Sequence, residues 1–294
     1  MLLQVYLQVL AFAAFVTGCF FLSYGIDISF EDLEITHFIY LLFPFITTFP
    51  ELTVFVYGLF SGRAGTEVAT GAVLGEPFIV MTAGLFAYKL WIKRPLKTDS
   101  GSDASLITFV LASALFFISY YVFRYASALM IVLFIAYMYV TQKAFKKEKY
   151  QSIRKKPLAY TAAGLVLLSI TGKYVVDSTV YLAQLLNAQP SLISFLIIPL
   201  ISSAPEIAAP FVFSKRKEKE QIASLIAELP LTMSIYPGVL MLLGSLSVPF
   251  PIVLGIAITV LQSFIVMFEE KAGKNLTLFS SILFLVLFII ALKL

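Results

Sequence analysis

Four glutamates stand inside long apolar stretches of this chain: Glu51, Glu76, Glu206 and Glu228. A carboxylate in a membrane interior is expensive, and such residues normally mark an ion path or a proton relay. Two of the four share a local pattern, Thr47-Thr48-Phe49-Pro50-Glu51 and Ser202-Ser203-Ala204-Pro205-Glu206. Proline has no amide donor and clashes with the carbonyl four residues back, so oxygens near Ile46 and Thr47 lose their helical partners. Freed carbonyls, paired hydroxyls and a carboxylate, placed face to face from two such segments, form the all-oxygen cage that hard cations prefer. Glu76 and Glu228 follow the small residues Gly75 and Ala227, which permit close helix approach, and are expected to complete the cage. Pro77, Pro230 and Pro237 should weaken or kink the helices that carry them. The candidate metal ligands are therefore Glu51, Glu206, Glu76, Glu228, Thr47, Thr48, Ser202 and Ser203.

The rest of the composition limits the chemistry to this set. One cysteine, Cys19, excludes a disulfide framework and a cysteine-based zinc site, and one histidine, His37, excludes a histidine-rich one. Neither a catalytic residue nor a cofactor is expected. A metal-dependent lipid transferase would need Asp-rich motifs with nearby Arg or His, and no such cluster accompanies the glutamates, so the chain reads as a transporter rather than an enzyme.

These residues must be held by membrane-spanning elements. Of 294 residues 60% are hydrophobic and 13% charged, far from a soluble domain's balance. Apolar runs of about 20 residues, the length that crosses a bilayer core, recur along the chain. They predict an all-α, polytopic membrane protein with ten spans near 3–24, 36–60, 65–88, 104–123, 125–142, 157–186, 191–213, 221–244, 249–268 and 275–293. The first run lacks a basic leader and a small-x-small cleavage site, so it is expected to be retained. Seventeen Lys and Arg fall in the odd-numbered loops, against three (Arg63, Arg124, Lys293) in the even loops and termini. The positive-inside rule then places the odd loops in the cytoplasm and both termini outside, in a cell membrane. The acidic first loop, with Asp27, Glu31, Asp32 and Glu34, does not alter this, because acidic residues count little in that rule. The partners are small inorganic cations and the lipid bilayer, and nothing indicates nucleic acid.

Phe43 to Leu52 matches Ile198 to Ile207 at a constant offset of 155, proline for proline and Pro-Glu for Pro-Glu. Ala72 to Glu76 matches Ser224 to Glu228 at an offset of 152. Repeats of five spans, an odd number, must have opposite orientations, the inverted design of many secondary transporters. The expected units are 1–146 and 147–294, joined by the basic hinge 143–156.

The paired Thr-Thr-x-Pro-Glu and Ser-Ser-x-Pro-Glu segments resemble the two α-repeats of the cation/calcium antiporter superfamily, nearest its sodium/calcium exchanger branch. The resemblance is strongest over 42–84 and 197–239. It implies that Glu51 and Glu206 are central calcium ligands, that Thr47, Thr48, Ser202 and Ser203 supply further oxygens, and that spans 1 and 6 slide across the rest. The chain departs from the family's Gly-Asn-x-x-Gly-Ser-Asn pattern, reading Gly71-Ala72-Val73-Leu74-Gly75-Glu76-Pro77 and Ala223-Ser224-Leu225-Ile226-Ala227-Glu228-Leu229. Glutamate replaces serine on both sides, and Val80 and Thr232 stand where Asn or Asp ligands are frequent.

Four ionised glutamates around one divalent cation would leave two uncompensated charges in a low-dielectric site, so some must bind protons or another cation. The expected activity is alternating-access exchange of a divalent cation, Ca²⁺ first, for Na⁺, H⁺ or both. Proton-coupled exchange of Mg²⁺ or Mn²⁺ uses the same oxygen ligands, and a passive channel would differ in being insensitive to a counter-ion gradient.

Outside the cage, Lys173 and Asp177 are spaced to pair on one helix face, or to snorkel. His37 is expected to be a taskless interfacial residue and Cys19 a packing residue. The run Lys215-Arg216-Lys217-Glu218-Lys219-Glu220 suits either topology signalling or anionic lipid.

Overall fold

The computed structural model describes residues 2–29, 40, 43–92, 95–96, 98–144, 157–212, 218–244, 246, 248–272 and 275–292. Every regular element among them is helical. In chain order these are α1 (Leu2–Ser29), α2 (Phe43–Thr47), α3 (Phe49–Phe60) and α4 (Gly62–Ile79), then a π-helical turn (Val80–Gly84) and α5 (Leu85–Trp91). There follow α6 (Ser100–Tyr121), a short 3-10 turn (Arg124–Ala126), α7 (Ser127–Ala144), α8 (Leu158–Leu185), α9 (Pro190–Ser202) and α10 (Ala204–Val212). The chain ends in α11 (Glu218–Ala227), α12 (Leu229–Leu243), α13 (Phe250–Ala272) and α14 (Leu276–Ala291). Glu31, Asp32, Glu34, His37, Lys215 to Lys217 and nearly all of the expected hinge lie outside the described residues.

Ten unbroken spans are not what forms. Seven helical stretches among the described residues are long and apolar enough to cross a membrane, and three apolar helices, Phe49–Phe60, Pro190–Ser202 and Leu276–Ala291, are shorter. The second and seventh expected spans are each cut in two, at Thr48 (φ −81°, ψ 11°) and at Ser203 (φ −82°, ψ 0°). The cause is the proline on either side of each cut. Pro50 and Pro205 cannot donate to Ile46 and Ile201, and the hydroxyls of Thr47, Thr48 and Ser202 bond backwards instead. Thr47 Oγ1 donates to Phe43 O at 3.0 Å and Ser202 Oγ to Ile198 O at 3.0 Å, the same bond at the same place in each motif.

The third expected span is continuous but not uniform. Pro77 lies inside α4, and three residues later the ladder loosens into the π-helical turn, a distortion that proline provokes. In the eighth span the helix stops at Glu228 and restarts with Pro230 in the first turn of α12.

Burial separates two layers. From Gly65 to Ile79 almost every residue of α4 is buried, and α12 is buried on most of its surface, as for helices enclosed on all sides. α9 approaches α4 so closely that a β-carbon on Gly71 would strike Ser191 and Ser194, and one on Gly75 would strike the Phe195 backbone. Beside that contact Phe78, Phe195 and Phe288 form a ring trio with centroids 4.5 to 5.4 Å apart. α1 and α8 lie together outside this centre, face to face, with Gly18 against Leu168 and Gly164 against Leu22, the small-residue seam of membrane helix pairs.

Candidate functional site

The two helix cuts bring Thr47, Pro50, Ser202 and Glu206 to one cleft of about 190 Å³, open mouth included, whose other wall is α1 through Cys19 and Ser23. Cys19 is 2% exposed and packs with Phe15, Leu22 and Ile26, the packing residue expected, while also lining this cleft. Glu206 is half-buried at the cleft, whereas Glu51 is 1% exposed. Glu51 lies on the inner side of the cut, its carboxyl beside the Ser202 hydroxyl of the opposite motif.

Glu76 and Glu228 are buried like Glu51, 2% and 3% exposed, with their carboxyl groups against each other and Glu228 also beside Thr47. One oxygen of each, Glu76 Oε2 and Glu228 Oε1, has no hydrogen-bond partner despite complete burial. Thr48 is fully buried, and its Oγ1 donates to Pro44 O at 2.7 Å. With that hydrogen committed, the 3.1 Å contact between Thr48 Oγ1 and the Tyr236 hydroxyl has the tyrosine as donor. Tyr236 also lies within electrostatic reach of Glu76, Glu51 and Glu228. Ser203 is 2% exposed at the second cut.

Of the eight expected ligands, the fold thus groups Thr47, Ser202, Glu206 and Glu51 about the cleft, and Glu76 with Glu228 beside Thr47. Among the described residues no set of three or more His, Cys, Asp or Glu side chains is arranged to hold a metal ion. Glu76 and Glu228 form a pair, Glu51 lies beside Ser202, and the hydroxyls of Thr47, Thr48 and Ser202 each lie within hydrogen-bond distance of a backbone carbonyl. A hydroxyl that donates to its own backbone presents lone pairs to the site, which suits a cation.

The family model described as sodium/calcium exchanger protein matches residues 3–142 and again 156–294. The chain belongs to this family. It is accordingly a member of the cation/calcium antiporter superfamily and an integral, multi-pass membrane protein. Solved structures with the same fold include the H⁺/Ca²⁺ exchanger CAX, 15% identical, with a TM-score of 0.74 over 99% of this chain and 82% of that one. The sodium–calcium exchanger NCX_Mj soaked with 10 mM Na⁺ and no Ca²⁺ is 18% identical, with a TM-score of 0.64 over 99% of this chain and 98% of that one. The same exchanger soaked with 2.5 mM Na⁺ and 10 mM Sr²⁺ is 19% identical, with a TM-score of 0.66 and the same coverage of both chains. No curated protein sequence matches.

Three features of this exchanger-family chain escaped the sequence. Tyr236 is one. A second is Lys89, which reads as a loop charge but is 1% exposed: its Nζ donates to Glu269 Oε1 at 2.7 Å and to Asn275 Oδ1 at 2.9 Å. Glu269 in turn accepts from the backbone N–H of Leu96 at 2.8 Å and of Thr277 at 2.5 Å, tying three chain segments together. The third is Tyr40, three residues before α2, whose hydroxyl donates to Asp99 Oδ1 at 2.5 Å at the N-terminus of α6. Lys173 and Asp177, spaced either to pair or to snorkel, share a face of α8 and are both exposed, and no ion pair joins them among the described residues.

Proposed function

We propose that this chain is a secondary antiporter that moves Ca²⁺ across the membrane in exchange for protons, alone or together with Na⁺, with the ion held by Glu51, Glu206 and the hydroxyls of Thr47, Thr48, Ser202 and Ser203. In this reading the ten-span plan stands, with spans 2 and 7 as broken helices, the units 1–146 and 147–294 inverted, and both termini outside. Broken helices at the ion site are the usual construction in transporters built from repeats.

The observation that carries the proton coupling is the buried Glu76–Glu228 contact with an unpartnered oxygen on each side. Two carboxyl groups in contact cannot both stay ionised without a cation between them. They therefore hold a proton when the site is empty of metal, and a metal entering beside Thr47 and Glu228 displaces it. Relatives of both coupling types share this fold, so the fold does not select the counter-ion; the glutamates in place of serine do.

⁴⁵Ca²⁺ uptake into proteoliposomes with either an acid or a Na⁺-loaded interior tests this. Acid-driven uptake that disappears in Glu51→Gln and in Glu206→Gln is expected. Uptake that responds only to Na⁺, with none driven by acid, would remove the proton from the mechanism.

A further inference from the structure

α2 has five residues, too few to hold a helix by its own hydrogen bonds, yet Thr47 stands at its end. An anchor lies three residues upstream. Tyr40 is 1% exposed, and its hydroxyl donates to Asp99 Oδ1 at 2.5 Å and contacts Ser102 Oγ at 3.1 Å. The same Asp99 oxygen accepts the Ser102 backbone N–H at 2.8 Å and so caps α6, which fixes the acceptor in place. The Tyr40 ring lies over Gly101, where a β-carbon would strike it, and clusters with Ala223 and Ala227 of α11. Ala227 precedes Glu228, which lies beside Thr47. Tyr40 thereby joins the segment that carries Thr47 to the helix that leads into Glu228.

The second half of the chain builds the same seat with one difference. At the offset of 155 that relates the two Pro-Glu motifs, Tyr40 corresponds to Phe195. The Phe195 ring lies over Gly255, where a β-carbon would strike it, and its backbone lies against Gly71 and Gly75, the latter preceding Glu76. Each aromatic residue thus sits between a glycine and a pair of small residues that leads to a buried glutamate. Phe195 completes its packing with the rings of Phe78 and Phe288 and has no hydroxyl. Packing alone is served by phenylalanine at this position, so the bond from Tyr40 to Asp99 adds something that packing does not require.

We propose, on the reading of this chain as a Ca²⁺ exchanger, that Tyr40 is a positioning residue for the ion site: tied to Asp99, it fixes the spacing between Thr47 and Glu228 and so sets how tightly the site closes on a cation and which ionic radius it prefers. It acts through α2 and α11 rather than as a ligand, as hydrogen-bonded residues behind a metal's own ligands do.

Initial-rate ⁴⁵Ca²⁺ uptake by the full-length protein in proteoliposomes, measured over a range of Ca²⁺ and with Sr²⁺ as competitor, tests this role. Tyr40→Phe keeps the ring in its seat and removes the bond. It should raise the half-saturating Ca²⁺ concentration about threefold or more, hold the maximal rate within about twofold, and narrow the preference for Ca²⁺ over Sr²⁺. A merely structural role would do the reverse, lowering the maximal rate through loss of folded protein and leaving half-saturation and the Sr²⁺ preference as they are. Asp99→Ala should reproduce the shift from the other end of the bond, and Asp99→Asn, which keeps an acceptor oxygen, should recover most of the affinity that Asp99→Ala loses. Unchanged half-saturation and Sr²⁺ preference in Tyr40→Phe, beside active wild type, would overturn the proposal. Wild type that takes up no Ca²⁺ would overturn the exchange reading, and this role with it.

Discussion

At the scale of single residues, the proposed division of labour lies between Glu51 and Glu206, one beside each helix cut, and Glu76 and Glu228, which meet each other. Glu206 is half-buried beside Thr47 and Ser202, while Glu76 and Glu228 touch in full burial. Replacing Glu76 by Gln keeps the shape and removes the proposed shared proton. Glu76→Gln should therefore keep measurable Ca²⁺ binding while flattening the pH dependence of uptake, which in wild type should fall as the pH on the Ca²⁺ side drops and protons compete for the carboxylates. Uptake by Glu76→Gln as pH-sensitive as wild type would contradict this. Tyr236 is a finer probe. Its hydroxyl donates to Thr48, a neutral hydrogen bond of about 0.5–1.5 kcal/mol, so Tyr236→Phe should weaken apparent Ca²⁺ affinity by roughly two- to tenfold, measured as the Ca²⁺ concentration for half-maximal uptake. The sequence disclosed the glutamates because charge is rare in apolar runs. It hid Tyr236 because one of 15 tyrosines in a membrane protein carries no signal of its own.

At the scale of helices, the proline of each Pro-Glu motif has a consequence that can be seen. Thr48 and Ser203 take nearly the same backbone conformation in two motifs 155 residues apart, and both cuts were legible because proline chemistry is local. Pro50→Ala and Pro205→Ala each restore a helical N–H, which recaptures a free carbonyl. Each should lower Ca²⁺ uptake by about tenfold or more, as expected where one ligand worth 1.4 kcal/mol is lost, without lowering thermal stability. What was not legible is the tie between Lys89 and Glu269, separated by 180 residues in the chain. A lysine at the end of an apolar run looks the same whether it faces water or a buried carboxylate. Removing one partner of such a buried pair costs about 3–5 kcal/mol. Lys89→Met should accordingly lower the detergent-measured melting temperature sharply. Lys89→Met/Glu269→Leu should recover only part of the loss, because Glu269 also holds the Leu96 and Thr277 amides.

For the whole molecule, the cleft gives a direction. α8 closes on α3, with Tyr57 Oη donating to Ser169 O at 2.8 Å, while α1 walls the cleft with Cys19 and Ser23. The proposed orientation puts the C-terminal end of α1 in the cytoplasm. Ser23→Cys in a Cys19→Ala background should then react with a membrane-impermeant thiol reagent from the cytoplasmic side, and Ca²⁺ should slow the reaction. Hydropathy could outline the helices, but it could not tell the centre from the lipid face. α4 and α8 are both apolar enough to span, yet one is enclosed and the other turns Lys173 and Asp177 outward. Only packing separates them.

The central claim is that Ca²⁺ crosses in exchange for protons at the glutamate site. The most direct measurement is the interior pH of proteoliposomes, followed with a trapped dye in Na⁺-free buffer while Ca²⁺ is added outside. An interior that turns alkaline on Ca²⁺ addition, with the response abolished in Glu51→Gln and Glu206→Gln, is the predicted result. Ca²⁺ entry into the same vesicles with an unchanged interior pH would contradict it.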